Sequence, residues 1–487
     1  MKVSGSFSGL SSNECQAIHD AVLYILGEIG VKVENQQILK RLSDIGARVD
    51  YQTEIAFFPK GLIELTISKL KKFHNQNNET EIFFNAGGNS IRWLDPLNGS
   101  ITYHTLRSNA DYTRLADALE NISSMNCMGF PSDVPPQTQP FYIKLHSWKY
   151  TRKPYCAGSD LISTPEELDF FEEMSQIYCE KSGKSVAREA SVLIHKSYPL
   201  VLDRGKATLY LKAWEKGLEA AVAGGIPTVT GSAPCTLAGA LSLSIADKLM
   251  SAIINLAYYE DRPILGYLGI EAKRFPLYYD MSVLDMRTCL ACMSRPEACL
   301  LILALGDMCR FYGVGYGHGG YGKTQAKKIE SVQSGVERVS ELIVGLMAGA
   351  KYFGSLGIIS EPEGITSPVQ LVIDNEIASM LKRMARGFEV DSERLAVEII
   401  KEAGPNGVFL GNPHTAENMR QELWFPQIFQ GGMGYEQWLK NDVKTEVERA
   451  KERVAQILAE HHPSYLDEDL EMKLIAVIKK AEKVLAK

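Results

Sequence analysis

Apolar and polar positions along this chain follow two different periods, and the changes of period divide it. Over residues 1–80 the spacing is helical. Ile18, Val22, Leu23, Ile25 and Leu26 follow an N-cap signal in Leu10-Ser11-Ser12-Asn13-Glu14, and further helices are predicted over 36–45 and 60–73, with Val31-Lys32-Val33 a short extended piece. The period then shortens. Residues 81–84, 90–94 and 100–103 read as strands, separated by turns at Ala86-Gly87-Gly88-Asn89 and Asp95-Pro96-Leu97-Asn98-Gly99. From Asn126 short apolar or glycine-rich stretches alternate with helical ones. The predicted strands are 126–131, 155–158, 190–194, 228–231, 264–269, 313–317, 352–357 and 408–410. The predicted helices are 139–151, 165–180, 205–223, 237–259, 286–311, 325–349 and 369–403. About eight β-α units are the count of a (β/α)8 TIM barrel, an α/β fold. The rival is an open doubly wound sheet, but no G-x-G-x-x-G follows an early strand. Beyond the last strand 416–424, 435–460 and 466–486 look helical, with a break at His461-His462-Pro463. The expected organisation is a helical and β-meander extension over 1–120, the barrel over 121–430, and a C-terminal helical extension over 431–487.

Composition narrows the class. The 487 residues are 45% hydrophobic and 23% charged, ordinary values for a globular enzyme, and the net charge of −7 argues against a polyanion partner. The N-terminal MKVSGSFSGLSSNE lacks the apolar centre of a signal peptide, and no run approaches the roughly 20 apolar residues that span a bilayer, so a cytoplasmic location is expected. Nine cysteines are scattered. Cys289 and Cys292 form a C-x-x-C within a predicted helix, without a second pair or a nearby histidine to complete a metal site.

Candidate chemistry concentrates at residues 313–323, GVGYGHGGYGK, where six of eleven residues are glycine. Such a loop lets a ligand reach bare main chain. In a barrel the active site gathers where strands run into the following loops. Those positions hold Ser132 and Asp133; Ser159 and Asp160; His195, Lys196 and Ser197; Thr230 and Ser232; Tyr267 and Glu271; Tyr316, His318 and Tyr321; Phe353 and Ser355; and Asn412, His414 and Thr415. The set is aromatic and polar, with few cations. It lacks the basic cluster of a phosphate site, the close ligand pairs of a metal site and the G-x-S-x-G of a serine hydrolase. Each residue also has a plainer reading. Tyr267, Tyr316 and Phe353 suit barrel packing, His195 suits a satisfied core histidine, Asp133 and Asp160 suit turn capping, and Trp93 suits packing in the extension as well as a pocket wall.

A resemblance adds to this. Leu94-Asp95-Pro96 with Gly99, Leu115-Ala116-Asp117-Ala118-Leu119 and Pro131-Ser132-Asp133-Val134-Pro135 are similar to the trimethylamine methyltransferase family. So are Gln333-Ser334-Gly335-Val336-Glu337, Ala348-Gly349-Ala350, Asp374-Asn375-Glu376, Arg386-Gly387 with Val390-Asp391, Gly407-Val408-Phe409-Leu410, His414-Thr415 and Arg420-Gln421-Glu422-Leu423-Trp424-Phe425-Pro426. The sequence departs from the family pattern at Ser331 and at Gln430-Gly431-Gly432. The resemblance implies a TIM barrel that moves a methyl group from an amine to the cobalt of a corrinoid (cobalamin) on a separate partner protein, with no cofactor held tightly on this chain. Trimethylamine enzymes of the family carry pyrrolysine. This chain has only ordinary residues, which implies the pyrrolysine-free branch acting on a quaternary amine such as glycine betaine.

A quaternary ammonium has no proton to lose, so the expected site is a cage for a cation rather than a general base. Aromatic faces hold a cation at about 0.5–2 kcal/mol each. Tyr267, Tyr316, Phe353 and Trp93 are the expected cage. His318, His195 or the amides of residues 317–320 are the expected donors to a betaine carboxylate, and Glu271 lies among the expected substrate contacts. A sensor that binds the amine without catalysis, and an enzyme for another methylated amine, are the alternatives. A homo-oligomer is expected.

Overall fold

Parallel strands followed by helices occupy the middle of the chain. The structure is a computed structural model that describes residues 3–76, 81–155, 159–260, 277–318, 322–360, 364–440 and 443–485. Its central strands are β1 (Phe83–Ala86), β2 (Ser124–Met125), β3 (Val192–His195), β4 (Ala220–Ala223), β5 (Leu277–Tyr279), β6 (Tyr316–His318) and β7 (Tyr352–Leu356). The helices among and after them are α1 (Leu106–Ala118), α2 (Gln139–Tyr150), α3 (Pro165–Ser182), α4 (Arg204–Glu215), α5 (Leu237–Tyr259), α6 (Pro296–Tyr312), α7 (Val332–Ala348) and α8 (Pro368–Arg386). Local chemistry sets their ends. Thr164 and Glu167 form a capping box over Pro165 at the start of α3, and Gly183 in the left-handed region ends it.

The pairings run in one direction. β5 pairs with β6, β6 with β7, β7 with β1 and β1 with β2, all parallel. Met125 bridges Tyr155 in parallel, Leu193 donates its N–H to Ser159 O, and β3 pairs with β4 in parallel register, His195 beside Ala223. Between β4 and β5 no ladder is present among the described residues, so a closed barrel is not seen. Across that seam Gly224 N–H donates to Tyr278 Oη at 3.0 Å.

Several expected strands change place. Residues 81–84, expected in the meander of the N-terminal extension, lie at Phe83–Ala86 between β7 and β2. The apolar run at 408–410 forms no strand and is exposed. The expected strand at 228–231 is Thr228–Val229, which joins a small side sheet with Ser282–Asp285 and Leu290–Cys292. Cys289 and Cys292 therefore sit at a turn and a strand, not in a helix. The expected strand at 264–269 lies outside the described residues. Period alone does not separate a short apolar turn from a buried strand; partners do.

Strand faces sort the core. Phe84 and Phe353 stack at 5.4 Å on the side covered by α8, whose Lys382 Nζ lies 5.9 Å from the Phe84 ring. On the opposite side Tyr352 Oη lies 2.5 Å from Ser124 Oγ, beside the Asn85 amide. Helix α5 is long and apolar enough to cross a membrane by length and composition, yet 72% of its apolar window is buried in the fold. Each buried leucine or isoleucine there contributes about 1.5–3 kcal/mol. Asp247 and Lys248 interrupt its apolar surface, both buried. The turn after β7 is clamped. Asp374 Oδ2 accepts from Arg338 Nη1 at 2.9 Å and from Gly357 N–H at 2.6 Å, and Arg338 Nη2 donates to Ile358 O at 2.7 Å.

The N-terminal helices Ser12–Tyr24, Gln36–Asp44 and Lys60–Gln76 match the periodic reading, and Ser11 and Glu14 form a capping box. Strand Val31–Val33 ties this region to the centre through a parallel pairing with Val201–Leu202.

Candidate active site

The carboxyl ends of β3, β4 and β5 carry a buried group of charges. Lys196 follows β3, Gly224 and Gly225 follow β4, and Asp280 follows β5. Lys196 Nζ donates to Asp247 Oδ1 with both side chains shut from solvent. Asp247 also accepts from Leu200 N–H at 3.0 Å and Gly225 N–H at 3.1 Å. Its neighbour Lys248 donates to Asp280 Oδ1 at 2.8 Å and to Ser244 Oγ at 2.9 Å, and its ammonium lies 5.0 Å from the Tyr278 ring centre. Glycine is required where this group packs on the backbone. A Cβ on Gly225 would stand 2.6 Å from Tyr198 Cβ. Burial pushes the Asp280 carboxyl up to about 6 against the pull of Lys248, and burial lowers the Lys196 pKa against the pull of Asp247.

His195 directly precedes Lys196, and Asp160 acts on His195. Asp160 follows the Tyr155 segment and His195 ends β3. Burial raises the Asp160 carboxyl while His195 and Asn89 oppose the rise, and burial lowers the His195 pKa while Asp160 opposes the fall. Asp160 Oδ1 is buried without a hydrogen-bond partner among the described residues, and so is Tyr198 Oη, which feels the charges of Asp247 and Asp280. A buried oxygen left so costs about 1–3 kcal/mol, more for a charged group. The charges do not cancel among the described residues: Asp247 and Asp280 meet the ammonium groups of Lys196 and Lys248, while Asp160 has His195 and Asn89 beside it. Lys206, which also acts on His195, has its own acid in Asp203 at 3.3 Å. With His195 neutral, a strand-end site of this kind favours a cationic guest.

The residues expected from sequence are placed as follows. His195 lies in this group. Tyr316 is buried, and its Oη donates to Ile302 O of α6 at 3.0 Å. Phe353 is fully buried against Phe84, and its backbone pairs with His318 in β6. Trp93 meets His104 and Tyr112 edge-on at 5.4 and 5.7 Å in a side sheet. Tyr267 and Glu271 lie outside the described residues. Asp133 Oδ1 accepts Leu106 N–H at 2.9 Å, a capping role at the start of α1, and Asn412 caps the helix Pro413–Glu422. The structure does not bring Tyr316, Phe353 and Trp93 into one wall. Sequence reasoning passed over Asp247, Lys248 and Asp280. The available signal was an acid and a base side by side within a 23-residue helix that carries no other charged side chain. No group of three His, Cys, Asp or Glu able to hold a metal occurs among the described residues.

Comparison with known proteins decides the family. The family model described as trimethylamine methyltransferase matches residues 3–486. The chain belongs to the trimethylamine methyltransferase family. This family member is 27% identical over 488 residues to a glycine betaine methyltransferase of Desulfitobacterium hafniense strain Y51, covering 96% of each chain. It is 24% identical over 500 residues to a trimethylamine methyltransferase of Desulfitobacterium hafniense strain DSM 10664 / DCB-2, covering 98% of this chain and 94% of the relative. A solved monomethylamine methyltransferase of Methanosarcina barkeri aligns with a TM-score of 0.46 at 9% identity, over 95% of this chain and 90% of that one. The protein is thus a methyltransferase of the trimethylamine methyltransferase family, with an α/β fold of many helices and small sheets.

Proposed function

We propose that this methyltransferase takes a methyl group from a quaternary amine, glycine betaine or a similar betaine, and delivers it to the cobalt(I) of a corrinoid on a separate protein. The observation that carries the cationic substrate is the surplus of carboxylate at the strand ends among the described residues, none of which gives the buried Asp160 Oδ1 a hydrogen bond. The 27% identical glycine betaine methyltransferase supports the choice among amines. We read the parallel segments as the wall of a (β/α)8 barrel, its mouth at the Asp160, Lys196 and Asp280 end.

The chemistry asks little proton work of the chain. The N–CH3 bond breaks, its electron pair stays on nitrogen, and a neutral tertiary amine leaves while the methyl goes to the nucleophile. Because the positive charge on nitrogen fades in the transition state, a tighter grip on the cation alone would favour the ground state. The useful contribution is alignment. Asp160 balances the ammonium, and His195 orients the substrate as a donor to its carboxylate. His318, Tyr267 and Glu271 complete the proposed substrate contacts on the sequence argument. The corrinoid is the second substrate and supplies the nucleophile.

Purified protein mixed with free cob(I)alamin and a panel of quaternary amines should form methylcobalamin with at least one of them. Silence across the panel, with the partner corrinoid protein also supplied, overturns the reading. A second reading is a tertiary amine substrate. It is supported by the 24% identical trimethylamine methyltransferase of Desulfitobacterium hafniense strain DSM 10664 / DCB-2; a tertiary amine carrying a proton would lose its methyl and leave as a neutral secondary amine. Mass analysis of the demethylated product separates the two.

A further inference from the structure

We propose that the amino ends of β7, β1 and β2 form a second binding site, one that takes the phosphate group of a small organic phosphate. The three strands run parallel, and the site lies where they start, away from the strand ends that carry Asp160, Lys196 and Asp280. A cavity of about 510 Å³ opens there. Its charged lining is Lys351, Lys382 and Arg386 against one acid, Glu81.

The cations here are short of carboxylate. Lys382 and Arg386 stand one turn apart near the end of α8, and neither forms an ion pair among the described residues. Arg386 Nη2 donates to the neutral Gln421 O, while Arg383 between them is the one that meets an acid, Glu422 at 3.7 Å. Burial lowers the Lys382 pKa, and Glu120 and Glu81 oppose the fall. Burial also holds the nearby Lys153 at about 8, with Asp117 opposing and the charge of Lys382 adding to the fall. An anion beside Lys382 would relieve both the burial and the repulsion.

The hydroxyls complete a donor set. Ser4 lines the cavity, is only 7% exposed, and makes no side-chain hydrogen bond among the described residues. Ser123 Oγ accepts Phe84 N–H at 3.3 Å, which leaves its own O–H to donate. Ammonium, guanidinium and hydroxyl donors around one space suit a phosphate, whose several oxygens accept from all three. The space is larger than a bare phosphate needs and falls in the roughly 300–1,000 Å³ range of small-molecule pockets. Phe83, half-buried and stacked on Tyr352 at 6.5 Å, offers the carbon part of the ligand an apolar wall beside Ala385. Such a ligand ties α8 to the residues that open β7 and β1, so it stabilises the folded chain.

Isothermal titration of the purified full chain with AMP, ribose 5-phosphate, inorganic phosphate and malonate tests this. At least one of the two organic phosphates should bind about 10-fold more tightly than inorganic phosphate or malonate, and should raise the thermal midpoint. Lys382→Gln combined with Arg386→Gln should weaken that binding about 10-fold or more. Ala385→Trp, which fills the cavity without altering its charge, should abolish it. In the parent protein, with no substitution, the bound organic phosphate should slow acetylation of Lys382 about 10-fold, read by mass spectrometry. Silence from both organic phosphates overturns the proposal. So does equal or tighter binding of inorganic phosphate or malonate, or binding that leaves acetylation of Lys382 unchanged.

Discussion

At the residue scale the strand-end charges make two predictions. Asp160→Asn removes the surplus negative charge, so the KM for a quaternary amine should rise roughly 10-fold, about 1.4 kcal/mol, while a neutral analogue should bind unchanged. Steady-state kinetics with substrate and competition with the analogue check it. Asp280, with its carboxyl at about 6, gains a proton as pH falls through that value, and the group of charges then loses its excess of carboxylate. Affinity for a cationic substrate should fall as pH drops from 7 to 5, and Asp280→Asn should remove that step. A flat binding profile in the parent protein would count against it. Of these residues, His195 and Asp160 were legible as strand-end polar groups. Asp280 was not, because β5 does not announce itself as a strand and its end could not be located. Tyr316 and Phe353 were legible as aromatics on strands, but which side of the strand they face depends on pairings at residues far away in the chain.

At the scale of the element, the clamp after β7 has little room. Gly357 has φ +85°, and a Cβ there would stand 2.0 Å from Tyr112 Oη. Gly357→Ala should destabilise the protein by several kcal/mol, on the order of 3, read as a fall in thermal midpoint of several degrees. Glu376→Ala withdraws the acceptor for three backbone donors and should cost about 2–3 kcal/mol while accelerating amide exchange at 427–429 above that of α8. The motif residues that carry the family resemblance, Asp374 and Glu376, are the acceptors in these two arrangements. Their presence was visible in the sequence. Their work was not, since each holds backbone that is distant from it in the chain or on another element.

For the whole molecule, two buried histidines set the acid limit. Burial holds His104 at about 3 and His146 at about 4, against an ordinary 6.5. The unfolded chain binds these protons first, so stability is present above 6.5 and is lost as pH falls towards 4 and 3. Lys144 and Trp148 hold the Glu189 carboxyl at about 2, which acts in the same direction below about 4.5. Asp280 acts in the opposite direction, its contribution lost as pH rises from 3.8 through about 6. The net expectation is a denaturant midpoint that declines from pH 7 to 5, and His104→Asn should decline less over that interval than its parent. The helices, their caps and the alternation of strands with helices followed from the sequence alone, because spacing and capping chemistry are local. Which strands are neighbours, which acids meet which bases, and that Ile428 alone is buried between residues 391 and 440 were decided only by the tertiary structure, because each depends on partners brought together from distant parts of the chain.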